Sequence, residues 1–286
     1  MTAVSSLRGI AAMTAGAGLL TLNDAVSKYL TEHYALGQVI CLRQAAAFLF
    51  MLPYAWAVTG IAALRSVNHG GQVLRGLLFI GGTVFTVTSL SLLPLSFVTI
   101  VLFSSPLFVA LISAPVLGER VGMHQWIAIA AGFAGVLLIV RPAGAGFEWV
   151  MLLPVLAAFT NASRDTLTRR LSRTDSSISM LLWSGVAVMI AGLLTIPFGW
   201  KAVDLHGTGW FLMAGFLNAA AHFMVIEAFR LGRAATVAPF RYTGLLWAMV
   251  VGFIVWGEVP NAWMLAGAAV VVCAGLYMLR HGVAKA

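Results

Sequence analysis

Charge is scarce in this 286-residue chain: 9% of its residues are Asp, Glu, Lys or Arg, against 61% hydrophobic. A soluble domain carries roughly 25% charged residues to cover its surface, so the composition excludes a soluble globule and implies an integral membrane protein. Cysteine is scarcer still. Cys41 and Cys273 lie far apart inside apolar runs, with no CxxC pair and no His/Cys cluster at metal-ligand spacing, which excludes a disulfide framework and a zinc motif. Both read as small buried packing residues. The apolar runs also lack the period-two alternation of a transmembrane barrel. Neither GxSxG nor HExxH occurs, which argues against an intramembrane hydrolase, and no ring of like charges or filter-like run suggests a channel. The expectation is a non-enzyme with no cofactor, no metal and no nucleic-acid partner, whose surroundings are the lipid bilayer.

What is present is a series of apolar runs. Since a helix needs ~20 residues to cross the hydrocarbon core, the chain has room for ten, expected near 8–29, 36–59, 72–90, 95–117, 124–140, 147–168, 178–198, 209–230, 234–256 and 262–279. The 9–22 stretch has the length of a signal-peptide core, but no Ala-x-Ala site follows and Asn23-Asp24 continue the same span, so it reads as part of the first helix. Pro142 stops the fifth helix, and the Ala/Gly run at 143–146 reads as a midpoint linker. Most tryptophans, Trp56, Trp126, Trp149, Trp200, Trp210, Trp256 and Trp263, fall near span ends, the headgroup level favoured by amphipathic rings.

The chain is also written twice. A shift of 139 positions sets Gly118-Glu119 on Gly257-Glu258, Val98 on Val237, Leu107 on Leu246, and Phe103 and Phe108 on Tyr242 and Trp247. This divides the protein into five-helix repeats at 1–143 and 144–286. Arg8, Arg65, Arg75, Arg120, Arg169, Arg170, Arg173, Arg230, Arg233, Arg280 and Lys285 fall on the side of the two termini, and only Arg141 and Lys201 on the other. Positive residues stay in the cytoplasm, so both termini are expected inside. Five spans per repeat is odd, so the second repeat enters the membrane from the opposite face, the inverted arrangement of many secondary transporters with a midplane site between repeats.

The block from Pro106 to Gly118-Glu119, its counterpart from Ala238-Pro239 to Gly257-Glu258, and the small-residue helix after each resemble the EamA-type branch of the drug/metabolite transporter superfamily, over nearly the whole chain. The resemblance implies a ten-helix inverted fold in a bacterial inner membrane and a carrier of small metabolites. Its central cavity would be lined by helices 1, 3, 4, 6, 8 and 9. Within the branch, the chain resembles amino-acid and metabolite exporters most; uptake carriers for S-adenosylmethionine or riboflavin are the alternative.

Ionisable side chains inside a bilayer are costly and are functional candidates by default. In helix 1, Asp24 and Lys28 stand i, i+4, a spacing that neutralises both, with Arg43 on helix 2 an alternative partner for Asp24. Helix 6 carries Asn161, Arg164 and Asp165, with Arg169 four residues beyond Asp165. Glu227 and Arg241 fall at comparable depth on the hairpin of helices 8 and 9, where they suit a salt bridge or a gate. His222 sits near midplane, one turn from Asn218, and can carry a proton near neutral pH. Ser104-Ser105-Pro106 is where helix 4 loses a backbone bond. Substrate recognition is expected from Asn23, Thr83, Ser104, Asn161, His222 and Tyr242 with Phe103 and Trp247 shaping an apolar wall, and gating or proton coupling from Asp24, Glu227 and Arg241. Ala128 with Gly132, and Ala131 with Gly135, give helix 5 a small-residue face for a close neighbour, in the same chain or in a second copy.

Overall fold

The computed structural model describes residues 3–59, 66–117, 122–141, 147–171, 174–231 and 238–282. Every regular element among them is helical: α1 (Ala3–His33), α2 (Leu36–Thr59), α3 (His69–Leu92), α4 (Leu95–Leu102), α5 (Ser105–Leu117), α6 (Met123–Val140), α7 (Leu153–Leu171), α8 (Ser177–Leu193), α9 (Leu205–Leu231), α10 (Thr243–Trp256) and α11 (Ala262–Gly282). Short 3-10 turns occupy Trp149–Leu152, Ile196–Phe198 and Ala238–Tyr242.

Five described stretches are long and apolar enough to cross a membrane: Leu36–Pro53, His69–Leu92, Leu95–Ile112, Met123–Val140 and Leu205–Val225. Ser179–Leu193, Phe240–Trp256 and Ala262–Met278 are shorter apolar helices. Leu49, Leu77, Leu137, Ile190, Phe216 and Ile254 are all exposed, an apolar exterior that suits hydrocarbon and not water. The polar residues of helices 1 and 6 lie on α1 and α7, the helices that open each half.

Two expected helices are not continuous. The fourth breaks into α4 and α5 at Phe103-Ser104. Pro106 has no N–H to offer the Leu102 carbonyl, and the chain tightens instead: Ser104 N donates to Val101 O at 3.0 Å and its hydroxyl to the same carbonyl at 2.6 Å. In the ninth, among the described residues, a 3-10 turn at Ala238–Tyr242 precedes the α-helix that begins at Thr243, whose hydroxyl donates to Phe240 O at 2.6 Å. Ser104 and Val101, moved by 139, are Thr243 and Phe240. The same local device therefore sits at the same place in both halves.

The packing repeats as well. α1 lies on α9 and α7 on α3; α2 meets α9 and α8 meets α3; α1 meets α10 and α7 meets α5; α2 pairs with α8 and α6 with α11. Exchanging the halves turns each of these contacts into another of the set or into itself, the signature of an internal two-fold. Lys28, near the end of α1, reaches Leu93 beyond the C-terminus of α3, whereas Thr168, near the end of α7, reaches Arg75 in the first turns of α3. Hence α1 and α7 run in opposite directions. We call the end holding Lys28 and the α3–α4 turn the distal end, and the opposite one the terminal end.

The small residues of helix 5 have partners in the same chain. A Cβ on Gly135 would stand 3.0 Å from Gly267 O, so α6 and α11 touch backbone to backbone, while Gly132 makes room for the Leu107 side chain of α5. Arg75, which the sequence places with the flanking charges, is instead 6% exposed and donates to the Thr168 and Ser184 hydroxyls and to Met180 O, tying α3 to α7 and α8.

Candidate functional site

Asn23 is 4% exposed, and its side-chain carbonyl accepts no hydrogen bond; its amide donates weakly, at 3.4 Å, to Asp24. The Asp24 carboxylate lies within reach of the Arg43 charge on α2, and Arg43 donates to the Ser27 hydroxyl at 2.8 Å. An orphaned buried acceptor costs about 1–3 kcal/mol, so this corner of α1 and α2 is not optimised as plain core.

His222 stands on α9 with Nδ1 2.8 Å from Asn218 O. Its ring is exposed, yet the charges of Arg43 on α2, Arg164 on α7 and Arg241 in the 238–242 turn all reach it. Three other elements thus bring positive charge within electrostatic reach of this ring. Arg164 pairs with its neighbour Asp165 at 2.7 Å and lies over the Phe79 ring of α3 at 5.3 Å. Asn161, one turn earlier on α7, presses against α3 at Gly82, where a Cβ would stand 2.5 Å from its carbonyl oxygen. Thr83 follows on α3, 8% exposed. The Arg164 fork reaches the adjacent Asp165 carboxylate with two bonds; the Arg169 side chain, expected four residues on as a partner for Asp165, lies outside the described residues.

The aromatic residues form a second group on another side of α1. Phe103 and Tyr242 meet at 5.3 Å between ring centroids, and Ser104 is fully buried. Trp247 is 44% exposed, with its indole nitrogen against Gly18 of α1. The Tyr242 hydroxyl is packed against Gly275 of α11. A groove of about 360 Å³ runs beside it, lined by Phe240, Tyr242, Thr243, Leu245, Leu246, Val272 and Leu276. Its walls are largely apolar, Leu246 among them is exposed, and none of Asn23, Asp24, Arg43, Arg164 and His222 lines it.

At the distal end, sequence spacing misleads. Lys28 does not turn back to Asp24; it donates to Glu258 at 2.8 Å and to Leu93 O at 2.8 Å. Glu258 in turn accepts Leu95 N at 2.9 Å and Ser96 N at 3.3 Å, covering the first N–H groups of α4. Glu32 accepts the Trp256 indole N–H at 2.9 Å. Across the bundle, Tyr34 donates to Asp204, and Gln38 exchanges two hydrogen bonds with the Lys201 backbone. Glu227 is half-buried on α9 and Arg241 is exposed; the bridge expected between them is not among the ion pairs of the described residues. The counterpart Glu119 lies outside the described residues.

Geometry and family agree. A model of the EamA-like transporter family matches residues 7–141 and again 148–280. The chain belongs to the EamA-like transporter family. This EamA-like transporter is 31% identical over 236 residues to a riboflavin transporter of Rhizobium johnstonii, covering 82% of the chain and 78% of the relative. It is 30% identical to a riboflavin transporter of Vibrio cholerae, covering 91% and 88%. It is 26% identical to an S-adenosylmethionine uptake transporter of Rickettsia bellii, covering 90% and 88%. A solved crystal structure covering 100% of the transporter and 99% of its own chain superposes with a TM-score of 0.64 at 18% identity, a likeness of fold alone. The protein is thus a multi-pass membrane transporter of a small metabolite, of the drug/metabolite transporter type.

Proposed function

We propose that the chain is a ten-span secondary carrier, built from inverted repeats at 1–143 and 144–286, that moves its substrate by alternating access through the cavity at His222. The observation that carries this reading is a set of polar side chains on helices with apolar outer faces: Asn23, buried with its carbonyl unbonded, Asp24 beside Arg43, and His222 within electrostatic reach of Arg43, Arg164 and Arg241. Polar groups at membrane depth are tolerated where they line a wet cavity. The matched breaks at Ser104 and Thr243 and the opposed directions of α1 and α7 support inversion. The excess of Lys and Arg that the sequence places beside the termini supports cytoplasmic termini in a bacterial inner membrane.

Relatives named for riboflavin and S-adenosylmethionine move a ring-bearing metabolite of that size ahead of the amino-acid export that the sequence suggests. Asn23, Asp24, Arg43, Arg164 and His222 supply the polar contacts in this reading, with Asn161 and Thr83 on the α3–α7 side. The test is counterflow in proteoliposomes preloaded with riboflavin, S-adenosylmethionine or pooled amino acids, with and without a pH gradient. Saturable exchange of riboflavin or S-adenosylmethionine is expected; exchange of amino acids alone would reinstate amino-acid export. Folded protein that exchanges none of them would refute this substrate range, and conduction without counterflow would refute the carrier mechanism.

A further inference from the structure

We propose that Glu258 is the distal gate of the carrier: it fastens the end of α10 to α1 and to the start of α4 at once, and must release both before that end opens. This rests on the alternating-access reading above.

The gate is built by local geometry. Gly257 closes α10 in the left-handed region at φ 66, so that Gly257 N bonds to Phe253 O and Glu258 N to Gly252 O, a glycine C-cap. That turn sends the Glu258 side chain back over the last turn of α10. A Cβ on Gly252 would stand 2.7 Å from Glu258 Oε2, so the carboxylate occupies space that only glycine leaves open. From there one oxygen takes Lys28 Nζ and Leu95 N, and the other takes Ser96 N and the Ser96 hydroxyl at 3.4 Å. Pro94 gives α4 no side-chain cap, and Glu258 does that work from another helix. A negative charge at a helix N-terminus is favourable, as is its contact with Lys28.

The pair is held dry. The Lys28 and Glu258 side chains are 12% and 10% exposed, and Lys28 lies over the Trp256 ring at 5.1 Å. Breaking a buried pair by removing one partner strands the other's charge; breaking it by hydrating both, as when this end opens, does not. A latch of that kind is stable when shut and releasable. It joins three helices that local sequence does not connect, and Ser96, 1% exposed beneath it, is the residue that opening would uncover.

The test is made in a cysteine-free background (Cys41→Ala, Cys273→Ala) with Ser96→Cys as reporter and a membrane-impermeant maleimide applied from the distal side. Glu258→Gln is expected to raise the labelling rate at least tenfold, and Gly252→Ala, which keeps the charge but displaces it, to raise it severalfold. Equal rates in parent and variants overturn the gate, and Gly252→Ala decides if Glu258→Gln fails to fold. Counterflow of the unmodified protein is measured alongside: its absence counts against the carrier, whereas counterflow with unchanged labelling counts against the gate alone.

Discussion

Phe103 and Tyr242 occupy the same position in the two halves of the chain, 242 − 103 = 139 residues apart, and their rings touch, with centroids 5.3 Å apart. A residue that contacts its own repeat counterpart lies beside the two-fold axis, and each stands one residue before a hydroxyl that donates to the carbonyl three residues back. The breaks at Ser104 and Thr243 are therefore neighbours in space, placed to bend together. Ser104→Ala and Thr243→Ala should each slow counterflow a fewfold, and the double variant should depart from the product of the two. Independent effects in a double-mutant cycle would separate the two breaks.

Gly275 is the second check on this contact. The Tyr242 hydroxyl fills the place where a Cβ would stand, so Gly275→Ala overpacks the contact between the Ala238–Tyr242 turn and α11 and should cost about 1–3 kcal/mol. Adding Tyr242→Phe should restore most of the thermal stability in detergent, because it removes the colliding oxygen. No rescue would mean that the tyrosine is held elsewhere.

Arg43 should matter to transport more than to folding. Its bond to Ser27 and its charge beside Asp24 belong to the proposed substrate path, where water can solvate whatever is left behind. Arg43→Gln should lower counterflow at least tenfold with little change in the midpoint of thermal unfolding. A matching loss of stability would assign the residue to the scaffold.

Arg75 should behave in the opposite way. Buried and bonded to α7 and α8, it leaves acceptors without donors when removed, at about 1–3 kcal/mol each. Arg75→Met should lower the unfolding midpoint by several degrees, and Arg75→Lys should recover only part of it, since an ammonium lacks the planar fork.

Asp175 supplies a pH signature outside the spans. Burial works to raise its pKa, but hydrogen bonds from Val67 N–H at 2.8 Å, the Thr174 hydroxyl at 3.0 Å and the Asn68 backbone outweigh it and hold the carboxyl below the usual carboxylate range. A depressed folded pKa means that the stabilisation is fully present above the unfolded value, ~3.9, and is lost as pH falls through the folded one. Between pH 5 and 8 the contribution should be flat. Asp175→Asn should remove the acid-limb dependence that the parent shows below about pH 4.

Much of the architecture is legible along the chain because membrane helices are specified by runs of local composition. The helix order, the duplication and the break at Ser104-Ser105-Pro106 follow from apolar length, from the 139-residue shift and from proline's missing N–H. The site is less legible. Asp24 and Lys28 have the spacing of a helical pair, but Lys28 leaves α1 for Glu258, 230 residues away. The sequence does hold a signal for this, since Gly257-Glu258 repeats Gly118-Glu119, but repetition marks a position without naming its partner. Likewise, matched aromatics suggested a cavity wall, and Tyr242 turned out to lean on α11.

The sequence by itself determined that this protein lives in a bilayer, is helical, and is written twice, because each of those properties depends on composition and period within a few turns of chain. Only the tertiary structure decided which charges face one another. Lys28 with Glu258, Arg75 with α7 and α8, and Arg43 with Ser27 are pairings across helices, fixed by how the two halves pack about their axis.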